Sequence, residues 1–456
     1  MFMKLAARVL LLPLVLALFL HPAVVIAVGD GTPGRGGGGF SLRLVPSPGW
    51  NRSSHVDDDG FVHLNEHATT ALRPPMHTQV GGKYSVVTTV GTGAGRRTYV
   101  LALDMTTNLL WMQCKPVQEP FTQQPPPFEP AKSPSFRRVA GNNRFCLPPA
   151  HGHQPTVQDP CKFHSIGLHG TDARGVLSNE TLAFAASGGQ EVAGVVIGCT
   201  HNSEGFNFNS HGVLAGVLGL GRQAPSLIWT LGQHRHGVVP VHRFSYCLPS
   251  HGSPDHHTFL RFGDDIPHTQ HMVSTKILYM SSTVSRDFSA YFVALASVSV
   301  GGRQLQHIGE LFKRHNHGGR WTGGCVFDAG TATMVMITPA YEKLKASVLE
   351  HLKPLRVPTV SRVEYHLCFR ATSQLWHYLP TVTLQFAETE ARLVLTPQRL
   401  FVAIGQDICL AVVVSDHITS IGAMQQVDTR FVYDVRAGRI YFAPENACHA
   451  DAGHQI

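Results

Sequence analysis

The chain has 456 residues, room for two or three domain-sized units. Its 43% apolar and 15% charged content fits a globular protein with a large core. The formal charge of +7 comes from 37 Lys and Arg against 30 Asp and Glu, scattered without a run or stripe, which argues for solubility and against nucleic-acid binding. The 28 His would make the surface strongly cationic in an acidic compartment. The 44 Gly and 29 Pro, set among short Val/Ile/Leu/Phe runs, predict a β-rich fold with many turns.

At the N-terminus, Lys4 and Arg8 precede an apolar stretch over residues 9–28 that ends in Val25-Ile26-Ala27. This pattern predicts a secretory signal peptide over residues 1–27. The rival reading is an uncleaved anchor, and Pro13, His21 and Pro22 favour cleavage. No later segment is long and apolar enough to span a bilayer, so no mature transmembrane segment is expected. The tail after Cys448 is polar, which argues against a lipid-anchor signal. Entry to the secretory pathway implies the extracellular space or the vacuole.

Residues 28–78 read as a linker or pro-segment: Gly-rich over 29–39, then polar with little periodicity over 40–76. Residues 84–111 alternate apolar and polar positions around Gly turns and predict strands. The Pro-rich segment 116–134 is a loop, and residues 177–184 and 192–199 are further strands. Pro225-Ser226 enters a short helix over 224–231. Residues 259–262 and 291–300 read as strands. Residues 339–352 carry the best helical pattern, with Pro339 at the start and Tyr341, Leu344, Val348 and Leu352 along one face. Strands over 382–386, 393–395, 409–414, 431–434 and 438–443 complete a second β-rich half, with a hairpin turn at Asp434-Val435-Arg436-Ala437-Gly438.

The nine cysteines follow a secretory leader and predict disulfides, with at least one left over because the count is odd. No C-x-x-C or His cluster has zinc spacing, so neither a metal nor a cofactor is expected. Asn51-Arg52-Ser53 and Asn179-Glu180-Thr181 are glycosylation acceptors in a secreted chain. Nothing in the composition suggests an oligomer, and a monomer is the default.

Two acids stand out. Val100-Leu101-Ala102-Leu103 runs into Asp104-Met105-Thr106-Thr107, and Cys325-Val326-Phe327 runs into Asp328-Ala329-Gly330-Thr331. A buried strand ending in a carboxylate, found twice, predicts two lobes that meet at a pair of acids. Carboxylates forced together share a proton, so one can act as base toward water while the other acts as acid. Each half also has an apolar residue directly before a Gly, Leu218-Gly219 and Ile421-Gly422, where a backbone crossing could pin the Asp-bearing loop.

From about residue 84 to Cys448 the chain resembles the plant nepenthesin-like branch of the pepsin-type aspartic peptidases. The branch also holds xylanase-inhibitor proteins, which keep the fold without the activity. The segments that carry the resemblance include Trp111-Met112-Gln113-Cys114, Phe128-Glu129-Pro130, Gly216-Val217-Leu218-Gly219-Leu220-Gly221-Arg222, Phe244-Ser245-Tyr246-Cys247-Leu248, Phe327-Asp328-Ala329-Gly330-Thr331 and Arg439-Ile440-Tyr441-Phe442-Ala443-Pro444. The resemblance implies a mainly β, bilobal fold, with a substrate cleft between two six-stranded-barrel-like lobes spanning residues 79–265 and 266–456. It implies Asp104 and Asp328 as the catalytic pair, supported by Thr106, Thr107, Gly330 and Thr331 in the two turns.

The chain departs from that family at defined positions. The first catalytic turn reads Asp-Thr-Gly-Ser in the family, so Met105 replaces a hydroxyl and Thr106 a Gly. Ala329 replaces the second turn's hydroxyl, so both groups that lock the loops beneath the acids are absent. In the flap, Gly167 stands where the family has Tyr, with His169 and Gly170 close by. Three family cysteines are replaced by Val117, Pro120 and Ala140, while Cys325 is an addition. Two readings follow: an aspartic endopeptidase acting on polypeptides, attenuated by these changes, or a catalytically silent pepsin-fold protein that binds a target enzyme as xylanase inhibitors do.

Overall fold

The computed structural model describes residues 40–46, 54–56, 62–64, 84–147, 154–166, 172–184, 190–204, 212–233, 241–249, 258–279, 289–317, 320–363, 365–372, 374–445 and 448. Its backbone is dominated by strands. In a sheet of fourteen strands, Arg243–Cys247 of the first half pairs antiparallel with Thr429–Asp434 of the second, so one sheet runs through both halves. A five-stranded sheet lies in the second half and carries Cys325–Phe327, the strand that leads into Asp328.

The weak repeat in the sequence corresponds to a repeated topology. In the first half, Leu214–Gly219 lies between Arg97–Asp104, to which it is parallel, and Leu110–Gln113, to which it is antiparallel. In the second half, Thr419–Ile421 lies between Cys325–Phe327, again parallel, and Met334–Ile337, again antiparallel. Each Asp-bearing strand is thus flanked by a strand from much later in its own half. Both inserted strands are fully buried; Leu214–Gly219 is apolar throughout, whereas Thr419–Ile421 buries the hydroxyls of Thr419 and Ser420 beside Ile421.

The predicted helix over 339–352 appears as Thr338–Leu352, with Pro339 in its first turn and Tyr341, Leu344, Val348 and Leu352 buried. The helix predicted over 224–231 is Leu227–Gly232; Ser226 caps it, its side chain accepting the Trp229 N–H at 3.2 Å. The hairpin at 434–438 joins Thr429–Asp434 to Arg439–Pro444, and Asp434 Oδ1 accepts the Ala437 N–H. The single strand expected over 291–300 is broken into Phe292–Val293 and Leu295–Val300, which belong to different sheets.

Within the segment read as a linker or pro-segment, the linker reading does not hold for residues 40–46. Phe40–Pro46 is an interior strand of the large sheet, paired antiparallel with Thr258–Phe262 on one side and Tyr84–Val90 on the other. Leu42 and Leu44 point into the core, 1% and 0% exposed. Ser54–Val56 and Val62–Leu64 form a second paired unit, the latter parallel to Phe401–Ile404 of the second half. The signal-peptide residues and Asn51 lie outside the described residues.

Four disulfides join Cys114 to Cys199, Cys146 to Cys161, Cys247 to Cys448 and Cys368 to Cys409. Cys247–Cys448 fastens the end of the second half to the first. Cys325 is the free cysteine and is buried, and burial pushes its thiol pKa up. Between the halves lies an aromatic core in which Phe244 stacks on Tyr433 at 4.5 Å and Tyr291 meets the same ring edge-on at 4.8 Å.

Candidate active site

Both acids sit where their strands give out into a turn, and the two turns hold them in the same way. Asp104 Oδ1 accepts the N–H two residues on, from Thr106, at 2.6 Å; Asp328 Oδ1 accepts the equivalent N–H of Gly330 at 3.0 Å. Asp104 Oδ2 accepts the hydroxyl three residues on, from Thr107, at 2.9 Å; Asp328 Oδ2 accepts that of Thr331 at 2.6 Å. An N–H on one oxygen and a hydroxyl on the other fix the rotation of each carboxylate. Thr106 adds a third kind of contact that a Gly could not make: its hydroxyl donates to Asp104 Oδ1 at 2.6 Å. Thr107 N–H also reaches that oxygen, at 3.2 Å. The direction of the two threonine hydroxyls, which sequence could not supply, is therefore inward onto the acid.

The turns meet directly. Met105 N–H, from the residue after Asp104, donates to Asp328 Oδ1 at 3.3 Å. Gly330 packs so tightly on the first turn that a Cβ there would lie 2.1 Å from the Leu103 carbonyl oxygen. Only Gly fits that approach. The side chains of Met105 and Ala329, at the positions of the family's locking hydroxyls, are completely buried in the apolar core. The lock beneath the acids is thus backbone and packing, with the Met105 N–H as its hydrogen bond.

Each turn is also cradled from behind. Leu220 N–H donates to Asp104 O and Gly221 N–H to Thr107 O, at 2.8 and 2.7 Å. In the second half, Asp328 N–H donates to Ile421 O at 3.0 Å and Ala423 N–H to Thr331 O at 2.7 Å. The Gly following each apolar run allows this crossing; a Cβ on Gly422 would lie 2.4 Å from Thr333 O. Behind Ile421, the buried amide of Gln426 donates to the same carbonyl and accepts the Tyr246 hydroxyl. Burial pushes the phenols of Tyr246 and Tyr433 well above their ordinary range, and the charge of Asp328 adds to this.

Asp104 is partly exposed, whereas Asp328 is 3% exposed. The flap candidates Gly167, His169 and Gly170 lie outside the described residues. The paired stem on either side of them in the chain is described: Lys162–Ile166 pairs antiparallel with Asp172–Phe184. At its neck His164 Nε2 lies 2.6 Å from Asp172 Oδ2, and Arg174 Nε donates to Asp172 Oδ1 at 3.0 Å. Burial works against ionisation of Asp172, but His164 and Arg174 outweigh it and hold the carboxyl below its usual range. Sequence reasoning missed this trio, although a His and an Asp eight positions apart on facing strands were there to be read. It also missed Asn108, directly after Thr107, which bonds to Ser289 across 181 positions. Among the described residues there is no group of three or more His, Cys, Asp or Glu that could hold a metal ion, and no helix is long and apolar enough to cross a membrane.

A duplicated lobe, each copy presenting a carboxylate from a strand-end turn and each crossed from behind at a Gly, defines the bilobal β-fold of the pepsin type. The chain belongs to the pepsin-like (A1) aspartic peptidase family, in its plant nepenthesin-like branch. Residues 86–264 match the family profile described as xylanase inhibitor N-terminal, and residues 290–444 match the one described as xylanase inhibitor C-terminal. Aspartyl protease family protein 2 of Arabidopsis thaliana is 28% identical, over 80% of this chain and 71% of its own. Aspartic proteinase nepenthesin-1 of Nepenthes gracilis is 27% identical, over 79% of this chain and 77% of its own. Among solved structures, basic 7S globulin from soybean superposes with a TM-score of 0.61 at 17% identity, covering 90% of this chain and 98% of that one. The structure titled edgp superposes with a TM-score of 0.64 at 16% identity, covering 92% and 97%. These two likenesses are of fold.

Proposed function

We propose that the protein is an aspartic endopeptidase in which Asp104 and Asp328 act as one proton-sharing pair on a water molecule. The ionised member takes a proton from the water as its oxygen attacks the scissile carbonyl carbon, and the protonated member donates to the carbonyl oxygen. Thr106, Thr107, Gly330 and Thr331 hold the two carboxylates in register, and the hairpin carrying Gly167, His169 and Gly170 covers the polypeptide substrate. The observation that carries this reading is the matched hydrogen bonding of the two turns together with the Met105 N–H on Asp328 Oδ1.

The rate is reduced relative to a turn with locking hydroxyls, because acid–base chemistry depends on tight placement of the reacting groups. A signal peptide over residues 1–27 delivers the chain to the secretory pathway, and from there to the extracellular space or the vacuole. Four disulfides suit that oxidising route. Asn179 is half-buried in a paired strand, so glycan addition there requires attachment before the sheet closes.

A second reading is favoured by the buried Met105 and Ala329 and by the descriptions of the two matching profiles. It makes the protein a silent relative that binds a target enzyme. Cleavage of a denatured protein at acid pH, with and without pepstatin and against Asp104→Asn, separates the two. Pepstatin-sensitive cleavage lost in the variant supports the peptidase. Oxidised, correctly folded protein that neither cleaves nor binds pepstatin refutes it and leaves the binder.

A further inference from the structure

The hydrogen bonds around Asp104 continue past Thr107 into the second half of the chain. Asn108 is half-buried, its Oδ1 accepting the Gln223 N–H at 3.1 Å and its Nδ2 donating to Ser289 Oγ at 2.6 Å. Ser289 is 5% exposed, and its carbonyl accepts the Arg222 N–H at 2.8 Å. Two residues on, the Tyr291 hydroxyl donates to Leu220 O at 2.7 Å. Leu220 and Gly221 are the residues whose N–H groups cradle the Asp104 turn. The loop 220–223 is therefore gripped by the first catalytic turn on one side and by Ser289 and Tyr291 on the other.

The far end of the same short segment reaches the second acid. Phe292 pairs with Val326 and Val293 with Cys325, on the strand that ends at Asp328. The Tyr291 ring is fixed against Tyr433 and Phe244 at 4.8 and 5.9 Å. Residues 289–293 thus contact the supports of both carboxylates. The locking side chains are missing at Met105 and Ala329, and the 3.3 Å Met105 contact is a long hydrogen bond.

We propose that residues 289–293 are a spacer that sets the separation of Asp104 and Asp328, with Asn108 and Ser289 as positioning residues and Tyr291 as the anchor of the segment. The spacer substitutes for the missing hydroxyl lock. Its kinetic consequence rests on the peptidase reading; its structural consequence does not.

Ser289→Ala and Asn108→Leu, singly and together, test this. On a peptide reporter at acid pH each single variant is expected to lower kcat about tenfold, with KM within about twofold, since placement of the acids changes and the cleft does not. The double variant should be no worse than Asn108→Leu, which already lacks the bond shared with Ser289 as well as the Gln223 contact. Ser289→Thr keeps the hydroxyl and should restore kcat. Crystal structures of wild type and Ser289→Ala should show the Met105 N to Asp328 Oδ1 distance lengthened past hydrogen-bonding range in the variant. Unchanged kcat in Ser289→Ala, additive losses in the double, or a Met105 contact kept in the variant crystal each overturn the proposal. If wild type itself does not cleave, the peptidase reading alone fails, and the crystallographic comparison decides the spacer. Should Asn108→Leu fail to fold, Ser289→Ala, which loses a single oxygen atom, carries the test.

Discussion

Replacing Gly330 with Ala puts a methyl group 2.1 Å from the Leu103 carbonyl oxygen, where ordinary contact begins at 3.4 Å. The turns must then separate by up to 3.4 − 2.1 = 1.3 Å or the backbone must twist by an equivalent amount. The Met105 N–H to Asp328 Oδ1 bond, 3.3 Å before the change, cannot survive a movement of that size. A displacement of about 1 Å at reacting groups costs on the order of 100-fold in rate. Overpacking of this kind costs about 1–3 kcal/mol of stability. The assay is kcat on a peptide reporter at acid pH, paired with denaturant unfolding of the same preparations. Gly330→Ala should lose about two orders of magnitude in kcat while remaining folded. A variant with wild-type kcat and wild-type stability would show that the two turns are not in the contact described, and the reasoning that joins the acids through them would fall.

Three further outcomes are expected. Thr107→Val and Thr331→Val each remove the hydroxyl that orients an Asp Oδ2, and each should lower kcat about tenfold with KM little changed, while Thr→Ser at the same positions restores it. Leu44→Ala should cost about 2–5 kcal/mol in unfolding experiments, because Leu44 is wholly buried in an interior strand; a neutral result would mean residues 40–46 are dispensable. The depressed pKa of Asp172 means its contribution to stability is complete above the ordinary carboxylate value of about 3.9 and is lost as pH falls through the lower folded value. Asp172→Asn should therefore destabilise the protein at pH 5 and lose that penalty in strong acid, as read by melting curves across the acid range.

Much of this arrangement was legible because it depends on local chemistry. Asp104 and Asp328 were visible as carboxylates ending apolar runs, and the crossings at Gly219 and Gly422 as apolar–Gly pairs, since both signals lie in a few adjacent residues. The helix Thr338–Leu352 announced itself by Pro339 and a buried stripe. Phe40–Pro46 did not, although Leu42 and Leu44 alternate with Ser41 and Arg43. Its partners lie near residues 84 and 262, so pairing rather than propensity makes it a strand. The Asn108–Ser289 contact was invisible for the same reason: neither residue type marks a site, and only the folded topology brings them together. Thr106 was legible as a departure but not as a contribution, because a hydroxyl's direction is set by the turn it sits in.

The central claim, that Asp104 and Asp328 work as a single unit, is tested most directly by measuring kcat/KM for wild type, Asp104→Asn, Asp328→Asn and the double variant on one peptide at acid pH. Groups that act together lose their effect together. Each single substitution should remove at least about three orders of magnitude, and the double should be no worse than either. A single variant that keeps activity close to wild type, or a double whose loss is the product of the two singles, would contradict it.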